Sequence, residues 1–323
     1  MAARVVTVFG GSGFIGRYLV QRLARQGWIV RVAVRRPDRA LFLKPMGAVG
    51  QITPIAASLR HEGSLAAAVA GADAVVNLVG ILHGRGANSF TAIHVEGAAR
   101  VARAARAAGA KTFVQMSALG ADPNSPAEYG RSKAAGERAV REVFPAAGIT
   151  RPSIVFGPED DFFNRFATMA RFSPALPLIG GGHTRFQPVH VGDVADALLR
   201  LVADPATAGK TYELGGARVY SFRELLELML REIGRRRFLV SVPFGLASLQ
   251  AFFLELPSKL VPALPAPPLT QDQVQMLRRD SVVSPGALTL ADLGIQPAAL
   301  ELVVPGYLAR YRPGGRFVAP ANG

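Results

Sequence analysis

The chain has no cysteine, which excludes disulfides, thiolate zinc sites, iron–sulfur ligation and a thiol nucleophile. Histidine is sparse. His61, His83, His94, His183 and His190 are scattered and never fall in an HExxH spacing, so no dedicated metal site is expected. No uninterrupted apolar run reaches the roughly 18 residues of a membrane span, so a spanning helix is not expected either. Residues 1–4 lead straight into a β-branched run, with no apolar leader and cleavage site. The expectation is therefore a chain that starts near Met1 on the cytoplasmic side. Lysine is scarce beside arginine, 5 against 32, within a formal net charge of +14. That surplus suits nucleic acid, anionic lipid or a phosphorylated cofactor, and equally an arginine-rich background. Nucleic acid is not expected, because no basic stripe interleaved with aromatics and no DNA-reading motif is visible.

Apolar residues are plentiful. At 50% hydrophobic, the chain is too apolar for disorder. Its 323 residues provide one large or two ordinary domains. Short β-branched runs at 5–9, 29–34, 52–56, 74–78, 112–116 and 150–156 alternate with helical stretches at 14–26, 64–70, 89–108 and 127–143. Near-continuous apolar strands alternating with helices predict a parallel sheet covered on both faces, a doubly wound α/β fold. After residue 158 the texture changes. A helix over 162–171 is followed by a Pro- and Gly-rich stretch at 173–182, and a strand at 187–191 leads to a helix over 193–203 with Asp193 as its cap. Another helix is expected over 222–233, and the remainder reads as irregular and apolar. The expected division is a dinucleotide-binding domain over 1–158, to which the chain returns around 184–215. A smaller domain over 159–323 then lies across the carboxyl ends of the sheet.

The strongest local signal is Gly10-Gly11-Ser12-Gly13-Phe14-Ile15-Gly16, after a strand and opening a helix. Glycines there make the turn tight and bring backbone amides to a pyrophosphate at the positive helix end. Two registers fit, GxGxxG from Gly11 and GxxGxxG from Gly10. The second strand ends in Arg35-Arg36, about twenty residues past Gly16, where an NAD-type site places an acid on the ribose. Two guanidiniums can instead clamp a 2′-phosphate. Asp38 competes for the ribose, but it follows Pro37 past the strand end. NADP(H) is favoured over NAD(H). Further on stands Tyr129-Gly130-Arg131-Ser132-Lys133, a YxxxK of which chance supplies only about 0.1 in this composition. An i,i+4 pair shares one helix face, so the ammonium favours the phenolate and lowers the phenol pKa. Such a tyrosine is an acid or base for hydride transfer to a carbonyl, with the lysine on the nicotinamide ribose.

Together with Asn77-Leu78-Val79-Gly80 and Arg151-Pro152-Ser153-Ile154-Val155-Phe156-Gly157-Pro158, these motifs resemble an extended or atypical short-chain dehydrogenase/reductase of the Rossmann type. YGRSKAAGE, RPSIVFGPEDDFFNRFA, RFQPVHVGDVADAL, PPLTQDQVQMLRRDSVV and LADLGI carry a narrower resemblance. It is to the 39-kDa-type nucleotide-binding accessory subunits of respiratory complex I and their bacterial relatives, and it covers nearly the whole chain. The resemblance implies a tightly held NADPH bound by Gly10, Gly13, Phe14, Ile15, Gly16, Arg35, Arg36, Asn77, Val79, Gly80, Tyr129, Lys133 and Pro152. It implies a catalytic set of Tyr129, Lys133 and a hydroxyl after the fifth strand. Where extended reductases place that hydroxyl stands Leu119, two positions beyond Ser117, and Ser117 is the candidate substitute.

His190 reads as structural, and Arg185 and Gln187 are candidates to face a substrate cleft. The segment 238–268 carries only Glu255 and Lys259 as charges. Leu246, Leu249, Phe252 and Phe253 form an apolar stripe behind Arg235-Arg236-Arg237, suited equally to an anionic membrane surface and to internal packing. The functional expectation is an accessory, assembly or stability component linked to complex I at the inner membrane face. The alternative is an NADP-dependent reductase, epimerase or dehydratase acting on a quinone-pathway or lipid-like carbonyl.

Overall fold

The computed structural model describes residues 4–260 and 267–315; part of the apolar segment, 261–266, lies outside them. The described chain divides into two compact units. Of the described residues, one comprises 4–152, 191–214 and 285–295; the other comprises 153–190, 215–260, 267–284 and 296–315.

In chain order the first unit begins with β1 (Val5–Phe9), α1 (Phe14–Arg25), β2 (Ile29–Val34), β3 (Ile52–Ala56), α2 (Glu62–Val69) and β4 (Ala74–Asn77). A single π-helical turn, Thr91–Gly97, then runs into α3 (Ala98–Ala107), followed by β5 (Thr112–Met116), α4 (Glu128–Val143) and β6 (Gly148–Pro152). The second unit opens with β7 (Val155–Phe156), α5 (Phe162–Phe172), β8 (Ala175–Ile179), β9 (Arg185–Phe186) and β10 (Val189–His190). The chain then returns to the first unit for α6 (Val191–Ala203) and β11 (Thr211–Leu214). The rest is β12 (Tyr220–Ser221), α7 (Phe222–Glu232), β13 (Phe238–Val242), α8 (Phe244–Leu260), α9 (Gln271–Met276) and α10 (Leu300–Leu308).

The first unit is built on a seven-stranded sheet of order β11-β6-β5-β4-β1-β2-β3, parallel throughout. Its β-branched strand residues are buried on both faces. Phe9, Ala33, Val75 and Phe113 meet α2, α3 and α4. The alternate residues Val8, Val32 and Val76 are fully buried as well, and α1 covers that side through Val20 beside Gly11. Strand order reverses between β1 and β4, and a doubly wound sheet opens its ligand crevice at such a point, beyond the carboxyl ends of the strands. The glycine turn after β1 and the Asn77–Gly80 loop after β4 both stand there.

The second unit has its own core, in which α5, α7 and α10 close around Phe163, Phe222, Leu225, Met229 and Val304. Asp160 caps α5 by accepting from the Phe163 and Asn164 amides at 2.7 and 3.2 Å, and it ties α10 in through the Tyr307 hydroxyl at 2.6 Å. Ser221 and Glu224 form a reciprocal capping box at the start of α7.

Four sequence expectations shift. The strand expected over 150–156 is two strands, because β6 joins the large sheet while β7 pairs with β10. The first unit therefore ends at Pro152 rather than 158, and it takes back 191–214 together with a short third segment, 285–295. Helix α6 starts at Val191, so Asp193 lies inside its first turn, where a carboxylate still favours the helix dipole. Finally, the Pro- and Gly-rich stretch holds β8, which pairs in parallel with β13, and the remainder, expected to be irregular, forms β13, α8, α9 and α10.

Candidate nucleotide site

The turn after β1 is made by glycines with separate reasons. Gly10 sits at φ +75°, a left-handed conformation that disfavours a side chain. A Cβ on Gly16 would lie 2.5 Å from the Gly10 carbonyl oxygen and 2.6 Å from the Gly11 Cα, so helix and turn approach this closely only without one. At the start of α1, Gly13 supplies no side-chain cap and the first turn carries no acid. Backbone amides and the positive helix end are thus left for an anion. Phe14 and Ile15 follow, half-buried.

Beside this turn, the space a Gly10 Cβ would fill is 3.5 Å from Val79, so the β1 and β4 loops touch. Asn77 is buried and committed to the chain. Its amide donates to Gln115 at 3.0 Å and its oxygen accepts from the Val79 amide at 3.2 Å. Asn77 therefore shapes the loop that presents Val79 and Gly80. Arg35 and Arg36 are exposed at the end of β2. Arg36 pairs with Asp38 at 3.3 Å, so the competing ribose partners stand together.

The opposite wall comes from α4. Lys133 is buried, with its Nζ 3.5 Å from the Met116 carbonyl oxygen and 3.1 Å from where a Gly80 Cβ would sit. Burial lowers its ammonium to about pKa 8, against an opposing pull from Glu137. Tyr129, one turn earlier, has Lys133 Nζ 5.7 Å from its ring centre and packs edge-on to Phe90 and His94. Ser117 directly follows Met116. Its hydroxyl is buried without a hydrogen-bond partner, a cost of about 1–3 kcal/mol unless a ligand or water meets it. Leu119 is half-buried and brings no hydroxyl, and its amide bonds to the Pro152 carbonyl at 2.9 Å.

His94 went unrecognised in the sequence, where it is one histidine in an alanine-rich helix. It lies in the π-helical turn, a distortion often found at functional sites. Its Nε2 accepts from the Ile81 amide at 3.0 Å, and its Nδ1 lies 2.9 Å from the Ser132 hydroxyl, which donates to the Tyr129 carbonyl at 2.8 Å. This pattern places the proton on Nδ1. Burial and the neighbouring Lys133 lower the imidazole to about pKa 3, so it stays neutral. His94 thereby fastens the Gly80-Ile81 loop to the Tyr129–Lys133 helix. Gly136 lets that helix come close, since a Cβ there would lie 2.1 Å from the His94 carbonyl oxygen.

Helix α4 is anchored to the sheet by Arg151. Its guanidinium grips the buried Glu137 carboxylate at 2.8 and 2.6 Å and reaches Glu213 on β11 at 3.5 Å. Hydrogen bonding to Glu137 raises the arginine pKa further.

A glycine cradle that excludes Cβ atoms, a bare helix N-terminus, a buried ammonium and an orphaned hydroxyl fit a dinucleotide at this sheet edge. The NAD dependent epimerase/dehydratase family matches residues 6–215. The chain belongs to that family. It is 40% identical over 316 residues, 96% of its length, to an Arabidopsis thaliana protein and spans 79% of that relative. The relative is NADH dehydrogenase [ubiquinone] 1 alpha subcomplex subunit 9, mitochondrial. The chain is also 32% identical over 244 residues to a Caulobacter vibrioides ceramide reductase, covering 75% of this chain and 74% of that one. Among solved structures, dTDP-glucose 4,6-dehydratase from Bacillus anthracis in complex with NAD aligns with a TM-score of 0.71 over 95% of this chain and 96% of its own, at 16% identity. That likeness is one of fold.

Arg185 and Gln187, the candidates to face a substrate cleft, both have partners within the second unit. Arg185 pairs with Asp280 at 2.8 Å. Gln187 donates to the Gly216 carbonyl at 2.9 Å and accepts from the Val283 amide at 3.1 Å, bracing the second unit internally. The His190 ring packs on Phe156 with centroids 5.5 Å apart.

Proposed function

We propose that this protein holds NADP(H) as an accessory, assembly or stability component linked to respiratory complex I, at the inner face of the cytoplasmic membrane. The observation that carries this reading is the match at 40% identity, across 96% of the chain, to an NADH dehydrogenase [ubiquinone] subunit. Leu119, standing where extended reductases keep a hydroxyl, supports retention of the nucleotide over its turnover.

The nucleotide, when bound, supplies a hydride at its nicotinamide. The amides at the start of α1, those of Phe14, Ile15 and Gly16, take the diphosphate with the helix dipole behind them, while Gly10 and Gly13 shape the turn, their own amides bonded to the Ala33 and Gly10 carbonyls. Arg35 and Arg36 take the 2′-phosphate as paired guanidiniums. Asn77 sets the loop of Val79 and Gly80, and Pro152 closes the floor through its bond to Leu119. Lys133 holds the ribose hydroxyls with Tyr129 beside it. A ligand at a hundred times its Kd stabilises the fold by about 2.7 kcal/mol, so a held nucleotide is a structural part. NADPH is expected to raise the thermal midpoint more than NADH, and Arg35→Ala with Arg36→Ala should abolish that difference. Under this reading Tyr129→Phe leaves function in cells intact, and a strong loss contradicts it.

A second reading has its own support. The partnerless Ser117 hydroxyl, the Tyr129–Lys133 pair and the ceramide reductase relative favour an NADP-dependent reductase, epimerase or dehydratase for a lipid-like or quinone-pathway carbonyl. Here Tyr129 exchanges a proton with the carbonyl oxygen, Lys133 favours its phenolate, and Ser117 orients the substrate. Steady NADPH oxidation with such a carbonyl, lost in Tyr129→Phe, would establish it.

A further inference from the structure

Helix α8 is built inside out. A helix on a water-facing surface buries its large apolar residues and shows polar ones. Here Ala247 and Ala251, one turn apart, are fully buried against Ile179 and Val274. Leu246, Leu249, Phe252, Phe253 and Leu256 lie between 41 and 59% exposed. The exposed positions from 245 to 257 carry no charge at all. The one acid there, Glu255, is half-buried and accepts from the Gln271 amide at 2.7 Å.

The apolar display continues on the strand before the helix, where Phe238 and Val240 are exposed, and on Phe172 at the end of α5. The Phe238 amide bonds to the Pro174 carbonyl at 3.0 Å, which brings the ends of α5 and β13 together. An exposed apolar display of this kind marks an interaction surface.

Its surroundings identify the partner. Arg171 stacks 5.5 Å from the Phe172 ring centre, Arg236 and Arg237 immediately precede Phe238, and the exposed Arg278 lies 4.7 Å from the ring centre of Phe244, the first residue of α8. Apolar residues bordered by arginines match the acyl–headgroup boundary of an anionic bilayer, with guanidiniums on lipid phosphates. Spanning is excluded for α8, which has 17 residues with Pro257 inside it. Among the described residues no helix is long and apolar enough to cross a membrane.

We propose that α8 lies flat in the headgroup layer of an anionic membrane, with Leu246, Leu249, Phe252, Phe253 and Leu256 dipping toward the acyl chains and Arg171, Arg236 and Arg278 on phosphates. This sharpens the membrane placement of the functional reading and stands on the second unit alone, whatever the first unit does with its nucleotide.

The test is co-sedimentation of the full-length protein with phosphatidylcholine vesicles that contain or lack phosphatidylglycerol, with NADPH binding measured in the same samples. Binding to the anionic vesicles is expected to weaken at least about tenfold in Leu249→Ser with Phe253→Ser. In Arg236→Glu with Arg278→Glu it should fall severalfold and lose its salt dependence. NADPH binding and thermal unfolding remain as in the parent, which shows that the variants fold. Sedimentation with neither vesicle overturns the proposal. So does equal binding to both vesicles, which removes the arginines' role, or a dimer in solution that the serine variant dissociates, which gives the face to a second copy. Loss of NADPH binding with vesicle binding intact would instead count against the nucleotide reading alone.

Discussion

Helices α4 and α8 are nearly equal in length, 16 and 17 residues, and each reverses the usual rule in its own direction. Helix α4 turns polarity inward, burying Ser132, Lys133 and Glu137 beside Gly130 and Gly136. Helix α8 buries only alanines and turns its leucines and phenylalanines outward. Burying a charge is costly unless it is paired, and showing water a row of large apolar side chains forfeits their burial energy. In α4 the buried Glu137 is matched by Arg151, while the buried Lys133 fits the proposed nucleotide; the outward apolarity of α8 fits the proposed membrane surface.

Helix α4 depends most on Arg151. Its loss removes the guanidinium that grips the buried Glu137 at 2.6 and 2.8 Å, and Arg151→Ala should cost about 3 kcal/mol or more by denaturant unfolding. If stability is unchanged, the inward charges of α4 are not held as described. Gly136→Ala sets a methyl against the His94 carbonyl and should destabilise by about 1–3 kcal/mol, with a parallel loss of NADPH affinity as the helix is pushed away from the Gly80 loop.

Lys133→Met separates function from stability. NADPH affinity should fall by about tenfold or more, the loss of a charge-assisted contact, while thermal stability at neutral pH holds or rises because a buried charge has gone. The pH dependence gives the same answer. The folded-state pKa of Lys133, about 8, lies below the reference 10.5, so the unfolded chain holds more protons between these values and stability increases as pH rises through that window. The increase should be absent in Lys133→Met. His94 acts at the acid end: with a folded pKa of about 3 against 6.5, it draws stability down as pH falls from 6.5 toward 3. His94→Gln should flatten that limb in urea titrations. On α8 the expected stability change is smallest. Leu249→Ser or Phe253→Ser should shift unfolding by no more than about 0.5 kcal/mol, as for surface positions.

Much of the first unit is legible in the sequence because its signals are local. Continuous β-branched runs mark β1, β2, β3 and β5 at their observed ends, and the glycine turn and YxxxK lie on contiguous residues. What is hidden depends on contacts between distant segments. The break between β6 and β7 arises because residues 155–156 pair with 189–190, while the apolar run itself reads as one strand. The π-turn is concealed within a helix-forming stretch, and with it His94, whose role depends on Ile81 and Ser132 across the site. The stripe on α8 is visible in the sequence by its spacing. Its outward direction is not, because only the packing of Ala247 and Ala251 decides which side of the helix is inside.

A nucleotide kept as part of a respiratory assembly should stay with that assembly through isolation. This is tested most directly by the migration of the untagged protein when native membranes are gently solubilised and separated by size, with the nucleotide in each fraction assayed. Co-migration with complex I, with NADPH retained in that fraction, is expected. A small species migrating alone, and exchanging its nucleotide freely, would contradict it.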